Sequence, residues 1–210
     1  MGMHLGLIAV KANVNELIAA FSQAWANREL AASADVAGSR ILGEWLRAHR
    51  VETRVDQWSP DNRSTGAYAF WQDGGWAVLS DPTHTLTSDR SALAALSQRF
   101  GLALAFDVES MAESASFAAF ERGREIRKIV SMSGHVRTSG RKLWREFGIP
   151  IRGYFMNETE RLQRRFGITP WDKLPDDMPF KAAAFVDRTD YSEMQARFLA
   201  RMARSASAAS

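Results

Sequence analysis

The amino-acid sequence predicts an α+β fold, with a mostly antiparallel sheet, helices on one face and a helical C-terminal extension. Three observations carry that prediction. Apolar runs flank Asp73-Gly74-Gly75 and again Arg122-Gly123, which is the spacing of β-hairpins. Strands follow one another in groups instead of alternating with helices, which disfavours a doubly wound parallel sheet. The pattern Leu-x-x-x-Phe-Gly-Leu/Ile starts at Leu96, Leu143 and Leu162. Each copy has the chemistry of a helix end. Glycine takes the positive φ that closes the helix, and the next apolar residue packs back on the leucine. The pairs Leu96–Leu102, Leu143–Ile149 and Leu162–Ile168 are expected from it. Unequal spacing of the three copies argues against a solenoid.

The elements follow in order. Met3 to Val10 is apolar and reads as a first strand, not as a signal peptide. Asn13 and Glu16 have capping-box spacing, and Leu17, Ile18, Phe21 and Trp25 form the buried stripe of the helix they open. A second helix is expected from Val36 to His49, with Ile41, Leu42, Trp45 and Leu46 on its apolar face. Val51 to Trp58 alternates as a half-exposed strand, and the polar segment after it is a loop. The first hairpin comes next. Thr87 or Ser88 caps a helix that ends at the first Phe-Gly stop, and LALAFDVE and the second hairpin complete the sheet. From Gly134 to Gly140 a loop is expected, then a short helix from Arg141 to Phe147. Asn157 and Glu160 have capping-box spacing for the helix that closes at Gly167. Pro170, Pro175 and Pro179 break the following stretch around Trp171. Asp190 and Glu193 open a last helix that ends near Arg204. These readings divide the chain into a sheet domain over 1–132, a helical extension packed on it over 133–204, and a disordered tail over 205–210.

Composition narrows the chemistry. The 210 residues contain no Cys, which removes disulfides, thiolate metal sites and cysteine nucleophiles and fits a cytoplasmic location. No apolar run has the length of a membrane span. Charge is uneven. The net is −5 over 1–121, +8 over 122–165 and zero beyond, which gives +3 for the chain. A basic middle segment of this kind marks a surface for an acidic partner.

That segment supplies the candidate binding residues Arg124, Arg127, Lys128, Arg137, Arg141, Lys142 and Trp144, with Arg161, Arg164 and Arg165 on the helix that follows. Gly134 to Lys142 lacks P-loop spacing, yet a basic glycine-bearing loop that opens a helix can hold an anion on its free amides. Interleaved Trp144, Tyr154 and Phe155 would suit single-stranded nucleic acid. Catalytic signals are weak. The four His are scattered, and neither HExxH nor G-x-S-x-G occurs. Asp81, His84 and His135 are the first residues to test for an enzyme, and Asp107 with Glu109 is a candidate carboxylate pair. No cofactor and no metal are expected.

The leading expectation is a non-catalytic binding protein for a protein partner, of the kind that a bacterial inhibitor or immunity protein represents. A nucleic-acid or phosphoanion binder using 122–165 is the alternative, and an enzyme of unrecognised type is the third reading.

Overall fold

The computed structural model describes residues 4–25, 27–51 and 64–207. Among the described residues nine strands form one sheet in the order β2-β9-β3-β4-β1-β5-β6-β7-β8, and each of their pairings is antiparallel. The strands are β1 (His4–Val10), β2 (Arg28–Ala37), β3 (Thr65–Asp73), β4 (Trp76–Ser80), β5 (Leu102–Glu109), β6 (Ser114–Glu121), β7 (Arg124–Met132), β8 (His135–Gly140) and β9 (Pro179–Asp187). The helices are α1 (Val14–Ala24), α2 (Ser39–His49), α3 (Arg90–Phe100), α4 (Met156–Phe166) and α5 (Ser192–Ser207). The α+β class and the antiparallel sheet stand as the sequence predicts.

The centre of the sheet is buried on both faces, and its strands show why. In β1, Leu7 and Ala9 join one core while Ile8 and Val10 join the other. The same alternation splits Ala69 and Trp71 from Tyr68 and Phe70 in β3, and Leu104 and Phe106 from Ala103 and Ala105 in β5. Strands that are apolar on both sides need a layer over each. Leu42 of α2 with Leu162 and Phe166 of α4 cover the first face, and Leu17 and Phe21 of α1 with Leu93 and Leu96 of α3 cover the second. The helices therefore lie on two faces and not on one.

Both hairpins form at the expected turns. Arg122 and Gly123 take φ of 48° and 84°, the left-handed pair that matches strand twist. The Asn13–Glu16 capping box is reciprocal, with both hydrogen bonds at 2.9 Å. All three Phe-Gly glycines have positive φ: 82° at Gly101, 78° at Gly148 and 77° at Gly167. At Gly167 the Ile168 amide donates to the Gln163 carbonyl at 3.0 Å, and Leu162 and Ile168 share one core. Leu143 and Ile149 also share it. Leu96 and Leu102 do not meet, because the chain enters β5 and Leu102 packs with the core on the other face.

Several expectations are corrected. Residues 28–37 form strand β2, so α2 starts at Ser39 and not at Val36. His135–Gly140 is strand β8: Ser133 and Gly134, at φ 47° and 79°, are the turn of a third hairpin. The expected helix over 141–147 reduces to the 3-10 turn Trp144–Glu146. Pro179–Asp187 is β9, paired on both sides inside the sheet. The segment expected as a helical extension thus contributes two strands as well as α4 and α5. Asp89, and not Thr87 or Ser88, caps α3, accepting from the Ser91 and Ala92 amides at 3.0 and 3.1 Å. Glu158, not Glu160, closes the start of α4 by accepting from the Phe155 amide at 3.2 Å. The last helix continues through Ser207 into the segment read as a disordered tail. The strand expected from Val51 to Trp58 lies outside the described residues apart from Val51, which bridges to Thr65.

Candidate functional site: a cationic aromatic patch beside α4

Strand alternation divides the basic segment. Arg127 turns toward the α4 side, while its neighbour Lys128 and the edge-strand residue Arg137 turn toward the α3 side. Arg124 is exposed at the β6–β7 turn, and Arg141 is exposed just past β8 with its amide on the Ile126 carbonyl at 3.2 Å. β8 is an extended edge strand whose amides point alternately toward β7 and away from it, so they do not converge into the nest expected of an anion-binding loop over 134–142.

Arg127 is not a surface cation. It is 5% exposed and Glu146 is 1% exposed. The guanidinium donates Nε to both oxygens of Glu146 at 3.0 and 3.1 Å and Nη2 to Oε2 at 2.8 Å. Its Nη1 reaches the Ser139 and Gly140 carbonyls, each at 3.3 Å. Glu146 Oε1 also accepts from the Leu143 amide at 2.9 Å. The pair is neutral as a unit and ties the Trp144–Glu146 turn to β7 and β8.

That tie presents a group of side chains which the sequence reading found only in part. Trp144 is 67% exposed and Phe147 62% exposed. Arg145 lies 4.3 Å over the Trp144 ring and Lys142 lies 5.0 Å over the Phe147 ring. Arg145 also donates to the Arg165 carbonyl in the last turn of α4, and Arg161 donates to the Gly148 carbonyl at 3.1 Å. Cations gather here partly because the helix C-terminus carries partial negative charge. Lys11 extends the group, with its ammonium 3.7 Å from the centre of the Trp76 ring. Burial first, and the nearby Arg145 charge second, hold the Lys11 pKa below its ordinary value. Trp76 fixes the geometry from beneath by donating Nε1 to the Phe166 carbonyl at 2.9 Å. Of the candidate residues, Lys142, Trp144 and Arg161 belong to this patch. Lys11, Arg145 and Phe147 were missed. Lys11 lies far away in sequence and joins only through folding. Arg145 follows Trp144 directly and Phe147 lies three residues after it, so the adjacent Trp144-Arg145 pair was the available signal.

The residues proposed for catalysis are brought together only in part: His84 meets Asp107, whereas Glu109 and His135 lie apart from that contact. Asp81 is fully buried, and its carboxylate accepts from Thr83 N and Oγ1 at 3.1 and 2.7 Å and from the Leu86 and Thr87 amides at 2.7 and 3.1 Å. Four donors make it a clamp for the loop before α3. His84 Nδ1 meets Asp107 Oδ2 at 2.7 Å, and Thr87 Oγ1 donates to the same oxygen at 2.8 Å. Glu109 instead accepts from the Met111 amide at 3.0 Å. His135 is exposed on β8, three strands from Asp107. Among the described residues no three His, Asp or Glu side chains are placed to hold a metal ion, and no helix is long and apolar enough to cross a membrane.

No protein-family model, curated protein or solved structure matches the chain.

Proposed function

We propose that the chain is a binding protein that captures an acidic protein partner through Trp144, Phe147 and the cations around them. The observation that carries this reading is two outward aromatic rings, each with a cation of the same chain over one face. Tryptophan and arginine dominate the energy of protein interfaces, because they combine large apolar area with directed donors. The surrounding charge would speed encounter with a partner of negative potential. An inhibitor-like role fits such a surface.

Nucleic acid is the weaker reading for two physical reasons. Base stacking needs open ring faces, and one face of each ring is already covered. A strand of phosphates also needs a continuous basic track, whereas Lys128 and Arg137 lie on the opposite face of the sheet.

The test is selection from a display library of acidic peptides carrying apolar residues. Peptides that bind the wild type should lose roughly thirtyfold in affinity on Trp144→Ala, the cost of losing one hot-spot side chain. Arg145→Glu should weaken them as well. Failure to select any such peptide, together with tight salt-sensitive binding of an oligo(dT) strand, would overturn the reading in favour of nucleic acid.

A further inference from the structure

We infer that the outer edge of β2 is the dimerisation surface of this protein, where a second copy of the chain adds its own β2 antiparallel and extends the sheet across a two-fold axis. This goes beyond the proposed function and uses the opposite edge of the sheet from β8.

The two edges differ. The β8 edge has six residues, and pairing two copies there would set Arg137 near its own twin. Short, charged edges resist pairing. β2 has ten residues, and among the described residues its only strand neighbour is β9. From Leu30 to Ala37 its side chains are small apart from Leu30, Asp35 and Val36, and neither Lys nor Pro protects it.

The outward groups can be assigned. The Asp187 amide donates to Ser64 at 3.0 Å, away from β2, while the Arg188 amide donates to Asn27 at 2.6 Å and the Gly38 amide to Met178 at 3.1 Å. Groups in β9 therefore alternate between β3 and β2. Following the register past the bulge between Leu30 and Ala32, Ala32, Ala34 and Val36 bond to β9. Ser33 and Asp35 turn their N–H and C=O outward. A two-fold axis at Ala34 makes these groups mutually complementary and sets the Ser33 hydroxyl against the Asp35 carboxylate of the second copy, twice. An axis at Asp35 would oppose two carboxylates instead.

An independent feature occupies the same edge. α5 leaves the end of β9, held by Tyr191 Oη donating to Asp187 at 2.6 Å and by the Arg188–Glu29 ion pair at 2.8 Å. No side chain from Ser192 to Met202 is buried, and Met194, Phe198, Leu199 and Met202 are exposed. Among the described residues no element covers this apolar helix face, and an exposed face of this kind is a contact surface for a second copy. The two-fold brings the start of α2 from the second copy, with Ile41 46% exposed, to the end of the edge from which α5 leaves.

The mass in solution is the direct test. Sedimentation at micromolar concentrations should give twice the 23.4 kDa of the chain. Ser33→Pro removes an outward amide without touching the ladder to β9, so it should give a monomer with unchanged circular dichroism. Because the chain has no Cys, Ala34→Cys introduces a single thiol. Opposed residues of a non-hydrogen-bonded pair lie about 4.5 Å apart, within disulfide reach. Ala34→Cys should therefore cross-link on oxidation, and Thr138→Cys on β8 should not. Trp144→Ala should leave the mass unchanged, so failure here is distinguishable from failure of the binding surface. A monomeric wild type would overturn the inference. So would a monomer whose α5 binds anionic lipid vesicles, which would assign the apolar stripe to a membrane surface.

Discussion

Replacing Glu146 by alanine strands the Arg127 guanidinium in a site where it is 5% exposed. Three short contacts to the carboxylate disappear, along with the Leu143 amide's acceptor, and only the two 3.3 Å contacts to Ser139 and Gly140 remain. Breaking a buried pair from one side costs about 3–5 kcal/mol, because the surviving charge keeps its desolvation penalty. At about 2–4 °C per kcal/mol for a chain of this size, the melting temperature should fall by about 6–20 °C. Thermal unfolding followed by circular dichroism, with urea titration beside it, measures the loss. The double variant Arg127→Met/Glu146→Leu leaves no charge behind and should lie within about 2 kcal/mol of wild type. A Glu146→Ala cost below about 1 kcal/mol, the worth of an exposed pair, would refute the reasoning.

Further expectations test other parts of the structure. Gly6→Ala places a Cβ 2.3 Å from the Asp81 carbonyl oxygen, so β1 and the loop after β4 must separate, at a cost of about 1–3 kcal/mol in urea unfolding; an unchanged midpoint would show that the contact yields freely. Burial alone would raise the Asp187 pKa, but donors from Thr189 and Tyr191 outweigh it and hold the carboxyl below its ordinary 3.8. Its contribution to stability is present above that value and fades as pH falls through the lowered one, so Asp187→Asn should destabilise at pH near 7 and converge with wild type in acid. Equal offsets at both pH values would contradict the assignment. Trp144→Ala and Phe147→Ala, at exposed positions, should each change stability by less than about 0.5 kcal/mol, and a larger loss in urea unfolding would make the rings structural.

The hairpins and helix stops were legible because their signals are local. Asp73-Gly74-Gly75 and Arg122-Gly123 carry turn chemistry within two or three residues, and the Phe-Gly stops need only a glycine at the right offset. β2 was not legible: its alanine-rich run has neither strong alternation nor high strand propensity, and only pairing with β9 makes it a strand. β9 was hidden by Pro179, which sits at the first position of the strand, where proline is tolerated. Ala182 to Phe185 then form the continuous apolar run of a strand covered on both faces. β8 was readable in principle, since Ser133-Gly134 after a strand is a hairpin turn, but the glycines at both ends looked like a loop.

The candidate site divides in the same way. A basic segment was visible in the charge count, and Lys142, Trp144 and Arg161 fall in the patch. Sequence distance gives no account of burial, so Arg127 looked identical to Arg141 until Glu146 closed over it. Alternation along β7 and β8 then sent Lys128 and Arg137 to the far face. What remains is a smaller surface than the basic segment suggested, with Arg145 and Lys11 in place of the residues lost to it.

Titration of a selected acidic peptide onto wild type and Trp144→Ala by calorimetry bears most directly on that surface. Wild type should bind, and the variant, folded to the same melting temperature, should bind roughly thirtyfold more weakly. Equal affinities would place the binding surface elsewhere on the molecule.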